Sequence, residues 1–324
     1  MPHPSPAPHP SPAPHLSRRG LLALAGAAGA GTLLAAGTAH ATGSPAGTAH
    51  ATGSPGALVG GVQDALAALR ALEREHGARV GAYARNLATG STVAHRAGER
   101  FPLCSTFKTL AVAAVLRDLD RDGEVLGRLV RYTEADLVSA SDVTRAHLST
   151  GMTVAELCDA AICDSDNTAG NLLLRELGGP AGVTRFCRSL GDRTTRLDRW
   201  EPELNSAEPW QFWDTTTPHA LSRTYAGLVV GDALAPGDRE RLTGWLLNCR
   251  TSATRFRAGL PKEWTVADKT GGGSYGTCND AGVAWTAGGE PVVVTVLTTK
   301  PQATAPGDHP LVAKAAAVLA AAVG

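Results

Sequence analysis

The chain has 324 residues, with 30 Lys and Arg against 30 Asp and Glu and a formal net charge of zero. That balance excludes a nucleic-acid binder, because no basic cluster exceeds Arg18-Arg19 and no basic and aromatic residues interleave. The length allows one large domain or two small ones.

The first residues do not read as fold. Residues 3–14 repeat His-Pro-Ser-Pro-Ala-Pro twice, and proline at every other position fits neither helix nor sheet. Ser17-Arg18-Arg19-Gly20-Leu21-Leu22 then leads into an apolar run of small residues to about Ala36. Paired arginines before such a run resemble a twin-arginine export signal. The run ends at Ala39-His40-Ala41, a cleavage-like pattern that recurs as Ala49-His50-Ala51 because 37–46 and 47–56 are near-copies. Residues 1–41 are read as a signal cleaved after 41 or 51, and 42–56 as linker. The mature chain is expected to be secreted, without a stable membrane anchor.

Residues 59–75 carry apolar positions at helical spacing. Residues 79–86 and 90–96 alternate around Ala88-Thr89-Gly90 and predict a hairpin. Thr109–Leu116 is alanine-rich, apolar and free of glycine and proline, which predicts a buried helix with Ser105 in its first turn. Residues 117–248 read as mostly helical. Residues 265–270, 279–287 and 291–299 read as strands, and 309–322 as a closing helix. The order implies one catalytic domain over 57–324, a sheet built from 57–100 and 250–324 with a helical part, 101–249, inserted between.

The chemistry centres on Cys104-Ser105-Thr106-Phe107-Lys108. Positions i and i+3 share a helix face, so Lys108 lies beside the Ser105 hydroxyl. A serine hydroxyl needs a partner to take its proton, and a lysine in a dry site can serve. Ser-x-x-Lys alone is a weak pattern; three further stretches strengthen it. Ser165-Asp166-Asn167 offers a hydroxyl to pass a proton and an amide to hold a substrate, though taken alone it reads as a helix cap. Lys269-Thr270-Gly271 at a strand end offers a cation and a hydroxyl for a carboxylate, and glycines that let a backbone approach. Arg199-Trp200-Glu201-Pro202-Glu203-Leu204-Asn205 opens a Pro- and Trp-rich loop ending near Asp214, in which a carboxylate and an amide four apart could hold one water. Six cysteines form no C-x-x-C and are expected mostly as buried apolar thiols. His76, His95, His147, His219 and His309 lack metal-ligand spacing, and no metal or cofactor is implied.

These four motifs, in this order, resemble the class A serine β-lactamases over residues 57–324. The resemblance implies an α/β (α+β) fold with an antiparallel sheet flanked by helices plus an inserted helical domain, acting as a monomer on small-molecule β-lactams. It implies Ser105 as nucleophile, with Lys108 and Glu201 competing as acylation base, and Ser165 as proton relay to the ring nitrogen. Asn167 would hold the substrate side-chain amide, and Lys269 and Thr270 its carboxylate. Gly271 would line the strand edge, and the N–H groups of Ser105 and Gly272 would form the oxyanion hole. Glu201 with Asn205 would place the deacylating water. Arg199 and Asp214 would pair across the neck of the loop, and the bond before Pro202 would be cis.

Two departures stand out. Many members carry an arginine where this chain has Cys278; Arg255 sits where others supply a substitute guanidinium, and the role is carried to it. Cys278 then puts a thiol near the pocket wall, a candidate for reaction. At Gly272-Gly273 many members place a larger residue first, and a subgroup pairs the equivalent of Cys104 with a cysteine where this chain has Gly273. The rival readings are a penicillin-binding D,D-peptidase, which lacks the carboxylate of Glu201, and a sensor domain that stays acylated and is membrane-tethered.

Overall fold

The computed structural model describes residues 55–324. The expected signal lies outside them, as does the linker except for Pro55 and Gly56, which open the first helix, Pro55–His76.

Alternation in the strands builds a sheet with two apolar faces. In Pro291–Thr299, Val292, Val294 and Val296 join one core cluster while Val293 and Leu297 join the other, as the pleat requires. Five antiparallel strands lie in the order Thr92–His95, Arg79–Asn86, Pro291–Thr299, Cys278–Trp285, Thr265–Gly272. Every one of them comes from the two ends of the described chain. The helices Pro55–His76 and His309–Val323 cover one face through Leu69, Leu311 and Leu319. The other face packs on the helical segments through Tyr83, Val293 and Leu297. An antiparallel sheet flanked by helices is the architecture expected from the sequence.

The apolar run after Ser105 forms the helix Phe107–Ala114, in which every residue is buried. Ser105 is not in its first α-turn, as expected, but in the 3₁₀ turn Cys104–Thr106 just before it, and the helix runs on as a π-helical stretch, Val115–Leu119. Tyr225, from the helix Pro218–Val229, fixes this junction: its hydroxyl lies 2.8 Å from Thr109 Oγ1 and 3.1 Å from Thr106 O.

The stretch 120–153 is less helical than expected, with one 3₁₀ turn at Glu134–Asp136 and a short helix at Asp142–Ala146. Asp120 diverts it. Its carboxylate accepts the backbone N–H groups of Gly123, Val125 and Leu126, offering the chain a turn in place of a helix.

Gly81 lets the sheet meet the helical part closely. A Cβ there would lie 2.7 Å from Phe101 Cζ and 2.8 Å from Pro218 Cγ. Gly81→Ala is expected to cost about 1–3 kcal/mol through overpacking and to lower the thermal midpoint by several degrees. An unchanged melting curve would contradict this packing.

Candidate active site

Lys108 is the hub. Its side chain is fully buried, and its amine touches four oxygens from three parts of the chain. Nζ donates to Ser165 O and to Asn167 Oδ1, each at 2.7 Å, and lies 3.1 Å from Ser105 Oγ and 3.2 Å from Glu201 Oε1. Burial pushes the Lys108 amine below its ordinary range, while the Glu201 carboxylate pulls the other way. Ser105 Oγ lies 3.4 Å from Glu201 Oε1, so both candidate bases reach the same hydroxyl.

Local backbone explains how these groups meet. Ser165 ends the π-helical stretch Ala160–Asp164 in a left-handed conformation, φ 62°. Asp166 then caps the helix Asn167–Glu176, accepting from Ala169 N at 2.9 Å, and ties to Thr144 Oγ1 at 3.0 Å. The cap reading and the site reading of this tripeptide therefore both hold, in different residues. Asn167 Nδ2 donates to Ser139 O, which leaves its Oδ1 turned to Lys108.

The loop that carries Glu201 is pinned at its neck and beneath. Arg199 Nε donates to Asp214 Oδ2 at 2.6 Å, and Asp214 Oδ1 accepts the N–H groups of Asp198 and Arg199. Beneath, Asn171 grips Glu201 twice: its Nδ2 donates to Glu201 O at 2.8 Å and its Oδ1 accepts Glu201 N at 2.9 Å. Asn205 Nδ2 donates to Glu201 Oε2 at 2.5 Å, and the Glu201–Pro202 bond is cis. Sequence reasoning missed Asn171, although its spacing of four from Asn167 puts both on one helix face.

The edge strand Thr265–Gly272 closes the other side. A Cβ at Gly271 would lie 3.0 Å from Leu103 O and 3.3 Å from Ser105 N, so glycine lets the strand pass against the Ser105 turn. Lys269 is fully buried and donates to Thr270 O at 3.0 Å; burial lowers its amine to about 8. Thr270 Oγ1 lies 2.5 Å from Thr251 Oγ1, a second partner not foreseen. Gly272 follows at the strand end. Arg255 lies beneath, its Nη1 donating to Gly271 O and Asn279 O at 2.7 Å each. The thirteen residues singled out from the sequence thus fall on the Ser105 turn and the helix after it, the Ser165–Asn167 stretch, the loop around Glu201 with its neck, or the edge strand and its support.

The site brings two candidate proton acceptors, Lys108 and Glu201, to one hydroxyl that can act as a nucleophile. The Beta-lactamase enzyme family matches residues 64–323. A β-lactamase of Streptomyces lavendulae is 61% identical over 310 residues, spanning 94% of this chain and 96% of that protein. The chain belongs to the class A serine β-lactamase family. The β-lactamase AST-1 of Nocardia asteroides is 52% identical over 253 residues, 78% of this chain and 82% of that one. The solved β-lactamase of Streptomyces albus G matches with a TM-score of 0.79 at 60% identity, over 81% of this chain and 100% of that chain. That of Streptosporangium roseum matches with 0.77 at 47% identity, over 80% and 97%.

The departures from the β-lactamase pattern now have places. Cys278 is not an open thiol at the pocket wall: it is fully buried in the outer cluster, and burial pushes it up to about 11. Its nucleophilic thiolate is accordingly scarce. All six cysteines are buried and free. A Cβ at Gly273 would lie 2.6 Å from Asn205 O and 2.9 Å from Cys104 Sγ, so the segment passes there only as glycine. Cys104 itself has a left-handed φ of 45°.

A pair of carboxylates lies behind Lys269 and Thr270. Asp268, on the edge strand, and Asp280, on its neighbour, lie diagonally across the pairing, and both are fully buried. Arg257 Nη2 donates to Asp268 Oδ1 at 3.0 Å, and the remaining oxygens Asp268 Oδ2 and Asp280 Oδ1 have no other partner among the described residues. Burial and the Asp268 charge push Asp280 well above the carboxylate range, so the folded pair keeps a proton to higher pH than the unfolded chain does. The folded state then binds a proton that the unfolded chain has lost, and stability falls as pH rises from the unfolded value, near 3.8, to the folded one. Asp280→Asn should remove this slope, which reaches about 1.4 kcal/mol per pH unit for one proton. Denaturant unfolding at several pH values reads it; equal slopes in both proteins would contradict a shared proton.

Proposed function

We propose that the chain opens the β-lactam ring of penicillins and cephalosporins through an acyl-enzyme on Ser105, which a water activated by Glu201 then hydrolyses. The observation that carries this reading is the Glu201 carboxylate. Asn205 holds the carboxylate and Asn171 the backbone behind it, which keeps Oε1 3.4 Å from Ser105 Oγ. A D,D-peptidase or sensor domain would be acylated without needing this group, and the family shown by the comparisons favours the hydrolase.

Ser105 Oγ attacks the ring carbonyl carbon, and the N–H groups of Ser105 and Gly272 receive the charge on its oxygen. The Ser105 proton passes to the Lys108–Glu201 pair. The ring C–N bond breaks and the nitrogen gains a proton through Ser165. In the second half, Glu201 takes a proton from water, the hydroxide adds to the ester carbonyl, and the bond to Ser105 Oγ breaks as that oxygen is reprotonated. Asn167 holds the substrate's side-chain amide. Lys269, Thr270 and Arg255 hold its carboxylate, and Gly271 admits the strand edge. Arg199 and Asp214 keep the loop closed at its neck.

The twin-arginine pattern supports export and action outside the cytoplasm, and the family resemblance supports a monomer with resistance to β-lactams as the consequence.

Purified mature protein should turn over a penicillin and a chromogenic cephalosporin. Lys269 loses its charge as pH passes about 8, so kcat/KM should fall on the alkaline side, with the loss residing in substrate binding. Lys269→Arg, whose guanidinium stays charged, should lose that alkaline fall. No turnover of either substrate would contradict the reading, and an unchanged alkaline limb in Lys269→Arg would remove Lys269 from carboxylate binding.

A further inference from the structure

Arg255 has a neighbour that the mechanism above does not use. Its Nη2 lies 3.3 Å from Nε2 of His309, the first residue of the C-terminal helix, and His309 Nδ1 lies 2.7 Å from Thr254 Oγ1. Guanidinium nitrogens only donate, so Nε2 must accept and carry no proton. The imidazole is then neutral, with its single N–H on Nδ1 directed to Thr254. A cationic ring would set N–H against N–H at this distance, at a helix N-terminus that disfavours positive charge.

The other charged groups around the ring keep it in that state. Burial and Arg255 lower the proton affinity of His309, and Asp308 opposes them. Asp308 is engaged elsewhere: its Oδ2 accepts from Lys300 Nζ at 2.8 Å and lies 2.9 Å from Nδ1 of His76, on the N-terminal helix. Burial pushes Asp280, behind Arg255, toward its neutral form, and the Cys278 thiol nearby stays neutral. With Nη1 fixed on Gly271 O and Asn279 O, the His309 contact is what sets the direction of Nη2, which also lies 3.9 Å from where a Gly272 Cβ would be.

We infer that His309 is a positioning residue for Arg255: neutral, it aims Nη2 at the substrate carboxylate, and protonated, it releases Nη2 and weakens that grip. The inference deepens, and rests on, the reading that Arg255 binds the carboxylate.

The test is binding of a penicillin to Ser105→Ala protein by calorimetry at pH 7.5 and 5.5, where no acylation intervenes. In that background, His309→Ala should raise Kd about five- to tenfold at pH 7.5, the scale of one hydrogen bond to a charged group. With His309 present, Kd should also rise between pH 7.5 and 5.5, by a smaller factor because the lowered proton affinity leaves the imidazole only partly protonated. His309→Gln, which accepts without titrating, should stay within about twofold at both values. The imidazole titration, followed by NMR, should move up in Arg255→Ala. An unchanged Kd in His309→Ala, or a pH dependence that persists in His309→Gln, overturns the inference. If Arg255→Ala also binds normally, the Arg255 reading itself fails; if only the His309 variants bind normally, that reading stands and this inference alone falls.

Discussion

A buried lysine amine is costly to place, and the site is organised around meeting that cost. Lys108 enters the core on a helix whose every residue is buried, where an unpaired charge would be strongly destabilising. Its four oxygen neighbours come from the nucleophile turn, the Ser165 carbonyl, the Asn167 amide and the Glu201 carboxylate. Two of these, Ser165 O and Asn167 Oδ1, can only accept. They fix two of the amine's hydrogens and leave its third direction to Ser105 and Glu201. The same contacts that make the amine tolerable therefore aim it at the chemistry.

The remaining structure can be read as support for those four oxygens. The left-handed turn at Ser165 presents its carbonyl. Asn171 clamps the Glu201 backbone from below while Arg199 and Asp214 close the neck of its loop. Tyr225 holds the junction at which the 3₁₀ turn of Ser105 becomes the helix of Lys108. Gly271 lets the edge strand come up against the same turn. Much of this is polar and buried, so each group must find its partner for the site to persist.

The sequence displayed what depends on spacing and pattern. Ser105 and Lys108 share a face because they are three apart, and the valines of 292–297 alternate because a pleat alternates. Arg199 and Asp214 were also foreseen, but through the family resemblance rather than spacing. Hidden were features that depend on where distant segments come to rest. Asn171, Thr251 and His309 act on residues brought near only by the fold. The Asp268–Asp280 pair follows from strand register, which sets Asp268 opposite Gly282 and Asp280 opposite Thr270 and so makes the two carboxylates diagonal neighbours. The 3₁₀ and π stretches flanking the helix are local departures that an apolar, alanine-rich run does not announce. The stretch after Asp120 is less helical than its composition suggests because the Asp120 side chain satisfies backbone groups that a helix would otherwise claim. The Cys278 thiol is buried on the strand face that packs on the terminal helices, and nearness to the pocket along the sequence does not announce that face.

The central claim is that Glu201 turns an acylated serine into a hydrolase. Intact-mass spectrometry of wild type and Glu201→Ala after exposure to a penicillin tests it most directly. The account predicts no lasting adduct on wild type and a persistent one, of the mass of the penicillin, on Glu201→Ala. A persistent adduct on wild type, or a Glu201→Ala protein that clears its adduct as fast as wild type, would contradict it.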